Sequence, residues 1–148
     1  MIPQFFVDTN VLIDFLADRK PFSESATIIF DLAVKKKVKL FISAISYNNL
    51  YYLMQRENKS HKKTIALFAL LSEDCSILDT TKAILQNAMQ ADFKDFEDAI
   101  QYYSAKSHNG IHAIITRNPK HFPLKDISIL SPEEAISFAP QSMTTNPS

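Results

Sequence analysis

Asp8, Asn49, Asp95, Asp98 and Asn118 are the residues of this 148-residue chain whose types and placement could do chemistry together. They bring side-chain oxygens and neither thiolate nor imidazole. Oxygen ligands of this kind select hard divalent cations, Mg²⁺ or Mn²⁺, and Mg²⁺ in particular binds through one or two carboxylates while keeping several waters. An ion held this way activates a water and stabilises charge on a phosphodiester oxygen. Each residue also has a plainer reading. Asp8 or Thr9 can simply cap a helix. Asp95 and Asp98, three apart, are near relatives of a capping box, and first-turn acids stabilise a helix by roughly 0.3–1 kcal/mol. Yet Asp92, Asp95, Glu97 and Asp98 exceed what capping requires, and clustered carboxylates repel unless a cation or solvent compensates. Asn49 sits between Ile45 and Leu53 at helical spacing, on or beside a buried stripe. An amide buried there without partners costs about 1–3 kcal/mol, so it is tied to neighbouring backbone or points into the same cleft as Asp8.

The elements that must position these residues follow from the apolar pattern. Ile2 to Val7, broken only by Pro3 and Gln4, is a β-type run, and Val11, Leu12, Phe15 and Leu16 then fall on one helical stripe. Asp8 therefore stands where a strand becomes a helix, at the strand edge where open α/β sheets hold their ligands. Ser23 is a fair cap for a second helix, which ends in Lys35-Lys36-Lys37, cations suited to a helix C-terminus. Lys39 to Ile42 predicts a strand, with Ser43 or Ser46 capping a helix to about Glu57. Ser60 caps a fourth helix, Cys75 to Leu78 is a strand, and Asp79-Thr80 caps a fifth helix. A helix opened by Asp95 ends near His108, before Gly110. His112 to Thr116 is a strand that Pro119 stops, leaving Asn118 in the loop at its carboxyl end. Ile127 to Leu130 precedes Ser131-Pro132-Glu133-Glu134, a capping box with proline at the first helical position, and the last helix ends near Phe138. Strands followed by helices predict a parallel sheet with right-handed crossovers, so all five residues can share one edge.

Composition narrows the classes. Sixteen Lys+Arg balance sixteen Asp+Glu, which does not indicate a strongly basic nucleic-acid binder. The single glycine, Gly110, excludes Gly-rich phosphate loops. The single Cys75 cannot form an internal disulfide and reads as a core residue of a reducing compartment. No apolar run approaches the roughly 18 residues of a membrane helix and no signal peptide opens the chain, so a cytoplasmic protein is expected. His61, His108, His112 and His121 lack metal-ligand spacing and read as surface or loop residues.

Phe5 to Asp14, the Ile42-Ser43 strand end with Asn49-Leu50, the stretch Asp95 to Gln101, and Ile115-Thr116-Arg117-Asn118 resemble the successive motifs of a PIN domain. The likeness is closest to the bacterial VapC-like toxin branch. It implies a three-layer α/β fold over residues 1–138, with a central, mainly parallel sheet of four to five strands flanked by helices; residues 139–148, polar and with two prolines, read as a disordered tail. It also implies a metal-dependent ribonuclease with an acidic pocket; members usually dimerise, and toxin members pair with an antitoxin. Asp8 matches the first family acid and Asp98 the third, while Asp95 matches an additional acid often present in this branch. The second acid, normally Glu, falls on Asn49, and the fourth, normally Asp, falls on Asn118. An amide oxygen can ligate a cation or orient water but brings no charge, so these departures weaken divalent binding unless Asp95 restores one charge.

The expectation is a Mg²⁺- or Mn²⁺-dependent endoribonuclease of the toxin type. Asp8 and Asp98 are its principal metal ligands and Asp95 assists. Asn49 and Asn118 position water or phosphate, with Thr9, Asn10 and Thr116 behind them. Arg117, Lys120 and the Lys59 to Lys63 cluster would contact RNA phosphates. The alternative is a PIN-like module that no longer cuts and binds RNA or a partner protein; restoring Glu and Asp at 49 and 118 would raise metal affinity only if the pocket is intact. Asp8-Thr9-Asn10-Val11 also echoes the nucleophile loop of haloacid-dehalogenase phosphatases. Asn10 stands where that loop has a second Asp, and the chain is short for that fold.

Overall fold

Runs such as Phe5-Phe6-Val7 and Leu40-Phe41-Ile42 leave no side chain for water, which is the pattern of parallel strands covered on both faces. The computed structural model describes residues 2–124 and 126–142 and arranges these runs in a parallel sheet. Its strands are β1 (Gln4–Val7), β2 (Lys39–Ser43), β3 (Cys75–Leu78), β4 (Ala113–Ile115) and β5 (Ser128–Leu130), in the order β3-β2-β1-β4-β5. Phe5 lies beside Leu40 on one side and Ala113 on the other. The helices are α1 (Thr9–Leu16), α2 (Ser23–Val34), α3 (Ala44–Arg56), α4 (His61–Asp74), α5 (Lys82–Gln90), α6 (Phe96–Lys106) and α7 (Pro132–Ser142).

Alternation along the strands builds the layers. Phe5, Val7, Leu40, Ile42, Ala113 and Ile115 face a core shared with α1 to α4 and α7. Phe6, Phe41 and Ile114 face the other way, onto Tyr102 and Ala105 of α6 and onto Phe122. Ile84 and Ala88 of α5 pack on Ala99 and Ile100 of α6. The three-layer α/β architecture with five parallel strands is thus the one the motifs implied.

Several ends differ from expectation. Ser23 opens α2 as its first residue, with Phe22 at the cap position. Thr81, one residue later than expected, caps α5 by accepting from the Ile84 N–H at 3.2 Å. Thr80 instead shares a hydrogen bond with Ser43 and accepts from the Ile45 N–H. The Ser131–Glu134 capping box forms in both directions, at 2.8 and 3.1 Å. The helix it starts runs to Ser142, so the tail expected from Ala139 falls partly within α7; residues 143–148 lie outside those described.

Candidate active site

The sheet changes direction at β1: the chain goes out through β2 and β3 on one side, then returns to β4 and β5 on the other. Ligand crevices of open α/β sheets lie at such a switch, outside the carboxyl ends of the strands. Asp8 is the first residue there. Its backbone N–H still donates to the Ile115 carbonyl at 3.0 Å, as an extension of the β1–β4 pairing. Its side chain forms the cap and also reaches across the switch. Oδ1 accepts from the Thr9 N–H at 2.8 Å, capping α1, while Oδ2 accepts from Thr116 Oγ1 at 2.8 Å across the switch. Thr116 Oγ1 also accepts from Asn10 Nδ2 (3.3 Å) and the Asn118 N–H (3.1 Å). A hydroxyl has one proton and two lone pairs, so all of its capacity is used and its proton is committed to Asp8.

Asp98, in the first turn of α6, lines the same hollow as Asp8. This hollow, of about 220 Å³, also receives Thr9, Asn10, Arg19 and Glu97. Burial is the main cause that raises the Asp8 carboxyl to about 7; the Thr116 and Thr9 hydrogen bonds oppose it, and the Asp98 and Glu97 charges reinforce it. Asp98 is raised to about 6, first by burial and then by the charge of Asp95, with His121 pulling it back. His121 Nδ1 stands 3.5 Å from Asp98 Oδ2. Removing carboxylates from water near one another disfavours their charged forms, which is the state a bound cation relieves.

Asp95 is placed differently from the expectation. It is exposed, and Oδ1 accepts from the Asp98 N–H at 3.0 Å, so its carboxylate is held over the start of α6 as a cap. It lines a neighbouring hollow of about 570 Å³ with Lys94, Asp98, Lys120 and His121. The trio Asp8, Asp98 and Asp95 therefore does not gather, and among the described residues no three Asp, Glu, His or Cys side chains form a ready-made metal cage. Asn49, half-buried on α3, is not tied to backbone: Nδ2 donates to Glu97 Oε2 at 2.7 Å. Asn118 is half-buried beyond Thr116 and does not line the hollow.

Arg117 is also not where an RNA contact would need it. Its guanidinium pairs with Asp14 through Nε and Nη2 and lies over the Phe22 ring, 4.1 Å from the centroid. Asp14 is 1% exposed, and a charge buried that deeply must be paired. Lys120 is exposed beside the second hollow. Cys75 is half-buried, and burial pushes its thiol up to about 12, far from a reactive thiolate.

Ser46 and Gln101, not assigned to the site from the sequence, hold it together with Thr9. The hydroxyls of Thr9 and Ser46 share a hydrogen bond of 3.0 Å, and Gln101 Nε2 donates to Ser46 Oγ at 3.1 Å. This chain links the helix of Asp8 to the helix of Asp98 through α3, and Ser46 and Gln101 are fully buried. The available signal was helical spacing: Ser46 precedes Asn49 by three, and Gln101 follows Asp98 by three. Gln101→Leu is expected to cost about 1–3 kcal/mol by leaving Ser46 and Thr9 short of partners, measurable by urea unfolding. Glu97, Arg19 and His121 at the hollows, and Asp14, were likewise not read as site residues.

A PIN domain model matches residues 4–120, so the chain belongs to the PIN domain family. Among its relatives is "Ribonuclease VapC1" of Aquifex aeolicus (strain VF5), 28% identical over 134 residues, which cover 87% of this chain and 90% of that protein. Three solved structures share the fold. VapC20 of Mycobacterium tuberculosis, described as a sarcin-ricin loop cleaving toxin, superposes with a TM-score of 0.59 at 20% identity, over 74% of this chain and 86% of its own. A toxin–antitoxin complex from Klebsiella pneumoniae gives 0.59 at 24%, over 86% and 96%. VapBC2 of Rickettsia felis, bound to a DNA fragment from its promoter, gives 0.63 at 16%, over 86% and 98%. The likeness thus runs to the VapC-like branch that the motifs resemble. Among the described residues no helix is long and apolar enough to cross a membrane.

Proposed function

We propose that this chain is a Mg²⁺- or Mn²⁺-dependent endoribonuclease of the toxin type. The observation that carries the reading is the meeting of Asp8 and Asp98, ninety positions apart in sequence, in one hollow at the sheet's switch point. The donor set fits a hard cation: carboxylate and hydroxyl oxygens, no sulfur, and two acids whose charged forms are disfavoured without a counter-ion. Asp8 and Asp98 would hold the ion, and bound there it would make a water more nucleophilic and offset charge on the phosphate. Thr116 keeps the Asp8 carboxylate oriented. Asn118, which does not line the hollow, would act through Thr116, whose Oγ1 accepts from its backbone N–H. In the hydrolysis itself a water oxygen bonds to phosphorus, one ribose oxygen leaves, and that oxygen takes up a proton. Lys94 and Lys120, exposed at the adjoining hollow, would meet neighbouring phosphates.

The names of the Aquifex ribonuclease and the Mycobacterium toxin support RNA as the substrate. The Klebsiella and Rickettsia assemblies support an antitoxin as the partner. Homodimerisation and a cytoplasmic location belong to the same reading. Incubating the purified chain with labelled structured RNA tests it: cleavage should need Mn²⁺ or Mg²⁺ and stop with EDTA. A second reading, a PIN-like module that binds without cutting, is favoured by the amides at 49 and 118; binding of RNA without cleavage in any metal would decide for it.

The carboxyl shifts give a pH dependence. Below about 7 a cation must displace a proton from Asp8, and below about 6 from Asp98 as well. Mn²⁺ affinity is therefore expected to rise about tenfold per pH unit between 6 and 7 and more steeply below 6, then level off above 7, as read by calorimetric titration.

A further inference from the structure

We propose that Glu97 supplies the negative charge that the hollow lacks at Asn49, acting as a positioning residue for the cation and its waters. The inference rests on the metal-dependent reading of the site and assigns a role to a residue that this reading leaves out.

Three observations lead to it. Glu97 lines the hollow with Asp8 and Asp98, although it is adjacent to Asp98 in the chain. It is half-buried at the start of α6, and its side chain reaches across to α3. There Asn49 Nδ2 donates to its Oε2 at 2.7 Å, at the short end of N–H···O hydrogen bonds. The residue that departs from the family's acid is thus the one that holds Glu97 in place. The negative charge of Glu97 is felt at both acids, which it disfavours in their charged forms.

This arrangement explains how Asn is tolerated at 49. A glutamate at that position beside Glu97 would set two carboxylates about where an amide and a carboxylate now bond, and such a pair cannot both ionise without a cation between them. Asn49 and Glu97 therefore form one unit, an amide on α3 and an acid on α6, where the family has the acid on α3. The three carboxylates do not close on a single point among the described residues. Mg²⁺ keeps several waters, so Glu97 contributes charge and accepts hydrogen bonds from those waters and needs no direct bond to the ion.

The test is calorimetric titration with Mn²⁺ alone at pH 7.5, on the unaltered chain and on Glu97→Gln, Asn49→Glu and the exchanged pair Asn49→Glu/Glu97→Gln. Partners that act through bound waters typically cost 10–100-fold in metal affinity when removed, so Glu97→Gln is expected to weaken binding about tenfold. Asn49→Glu adds a carboxylate whose repulsion from Glu97 a cation relieves, so it should bind at least as tightly as the unaltered chain, and the exchanged pair should return to within about threefold of it. The exchange keeps an amide facing an acid, so it decides the matter even if Glu97→Gln folds poorly. Binding by Glu97→Gln within about twofold of the unaltered chain, or an exchanged pair as weak as Glu97→Gln, overturns the role of Glu97. Failure of the unaltered chain to bind Mn²⁺, or full binding by an Asp8→Asn control, overturns the metal site itself and this proposal with it.

Discussion

Asp8→Asn is expected to abolish Mn²⁺ binding at the hollow and RNA cleavage together, each falling at least about 100-fold. Partners one layer removed from a metal already cost 10–100-fold, and Asp8 would hold the ion directly. Titration calorimetry and a gel assay on labelled RNA check the two arms, and unchanged cleavage would sink the nuclease reading. The same variant carries a stability signature of opposite sign. The Asp8 carboxyl rises from 3.8 to about 7 on folding, chiefly through burial. Between those values the folded chain binds a proton that the unfolded chain has lost, so metal-free stability falls as pH rises through this window and the loss is complete above about 7. Each unit of displacement is worth about 1.4 kcal/mol. An amide has no such dependence. The urea midpoint of Asp8→Asn relative to the unaltered chain should therefore climb between pH 5 and pH 8.

Arg117→Ala is expected to destabilise the fold by about 3–5 kcal/mol, the usual consequence of removing one partner from a buried ion pair. Total stability is about 5–15 kcal/mol, so this loss threatens folding at physiological temperature. Asp14 would keep only Arg19, whose Nε is 3.7 Å away and is shared with Glu57 at 3.8 Å. Burial already raises the Asp14 carboxyl, and Arg117 is the first of the groups that hold it down. Denaturant unfolding of Arg117→Ala against Arg117→Ala/Asp14→Leu separates the causes: the double variant should regain most of the loss because no unpaired charge remains. A loss below about 1 kcal/mol in the single variant would mean that Arg19 substitutes for Arg117.

What could be read from the chain was local. The switch from strand to helix at Asp8, the Asp95 cap and the Ser131–Glu134 capping box each lie within a few residues, where spacing determines geometry. The parallel direction of the sheet followed from strands alternating with helices, whereas its order β3-β2-β1-β4-β5 did not. Pairings that cross the chain were not legible. Asp14 meets Arg117 across 103 positions, and Asn49 meets Glu97 across 48. Among four neighbouring acids, the resemblance to the toxin branch pointed to Asp95 as the helper of Asp98, while spacing alone read it as a cap. The capping bond turns Asp95 outward, and the longer Glu97 side chain reaches the hollow instead. Arg117 looked like a free cation because nothing near it in sequence announces a buried acid. Thr81 displaced Thr80 as the cap of α5 because the Thr80 hydroxyl is taken up by Ser43.

The clamp from Thr116 onto Asp8 spans 108 positions. A growing polypeptide leaving the ribosome therefore exposes Asp8 well before the acid opposite and the hydroxyl that aims it, which follow 90 and 108 positions later. At roughly 5–20 residues per second that delay lasts about 5–20 seconds. Any activity that needs these groups together would be absent from a nascent chain that stops short of Thr116.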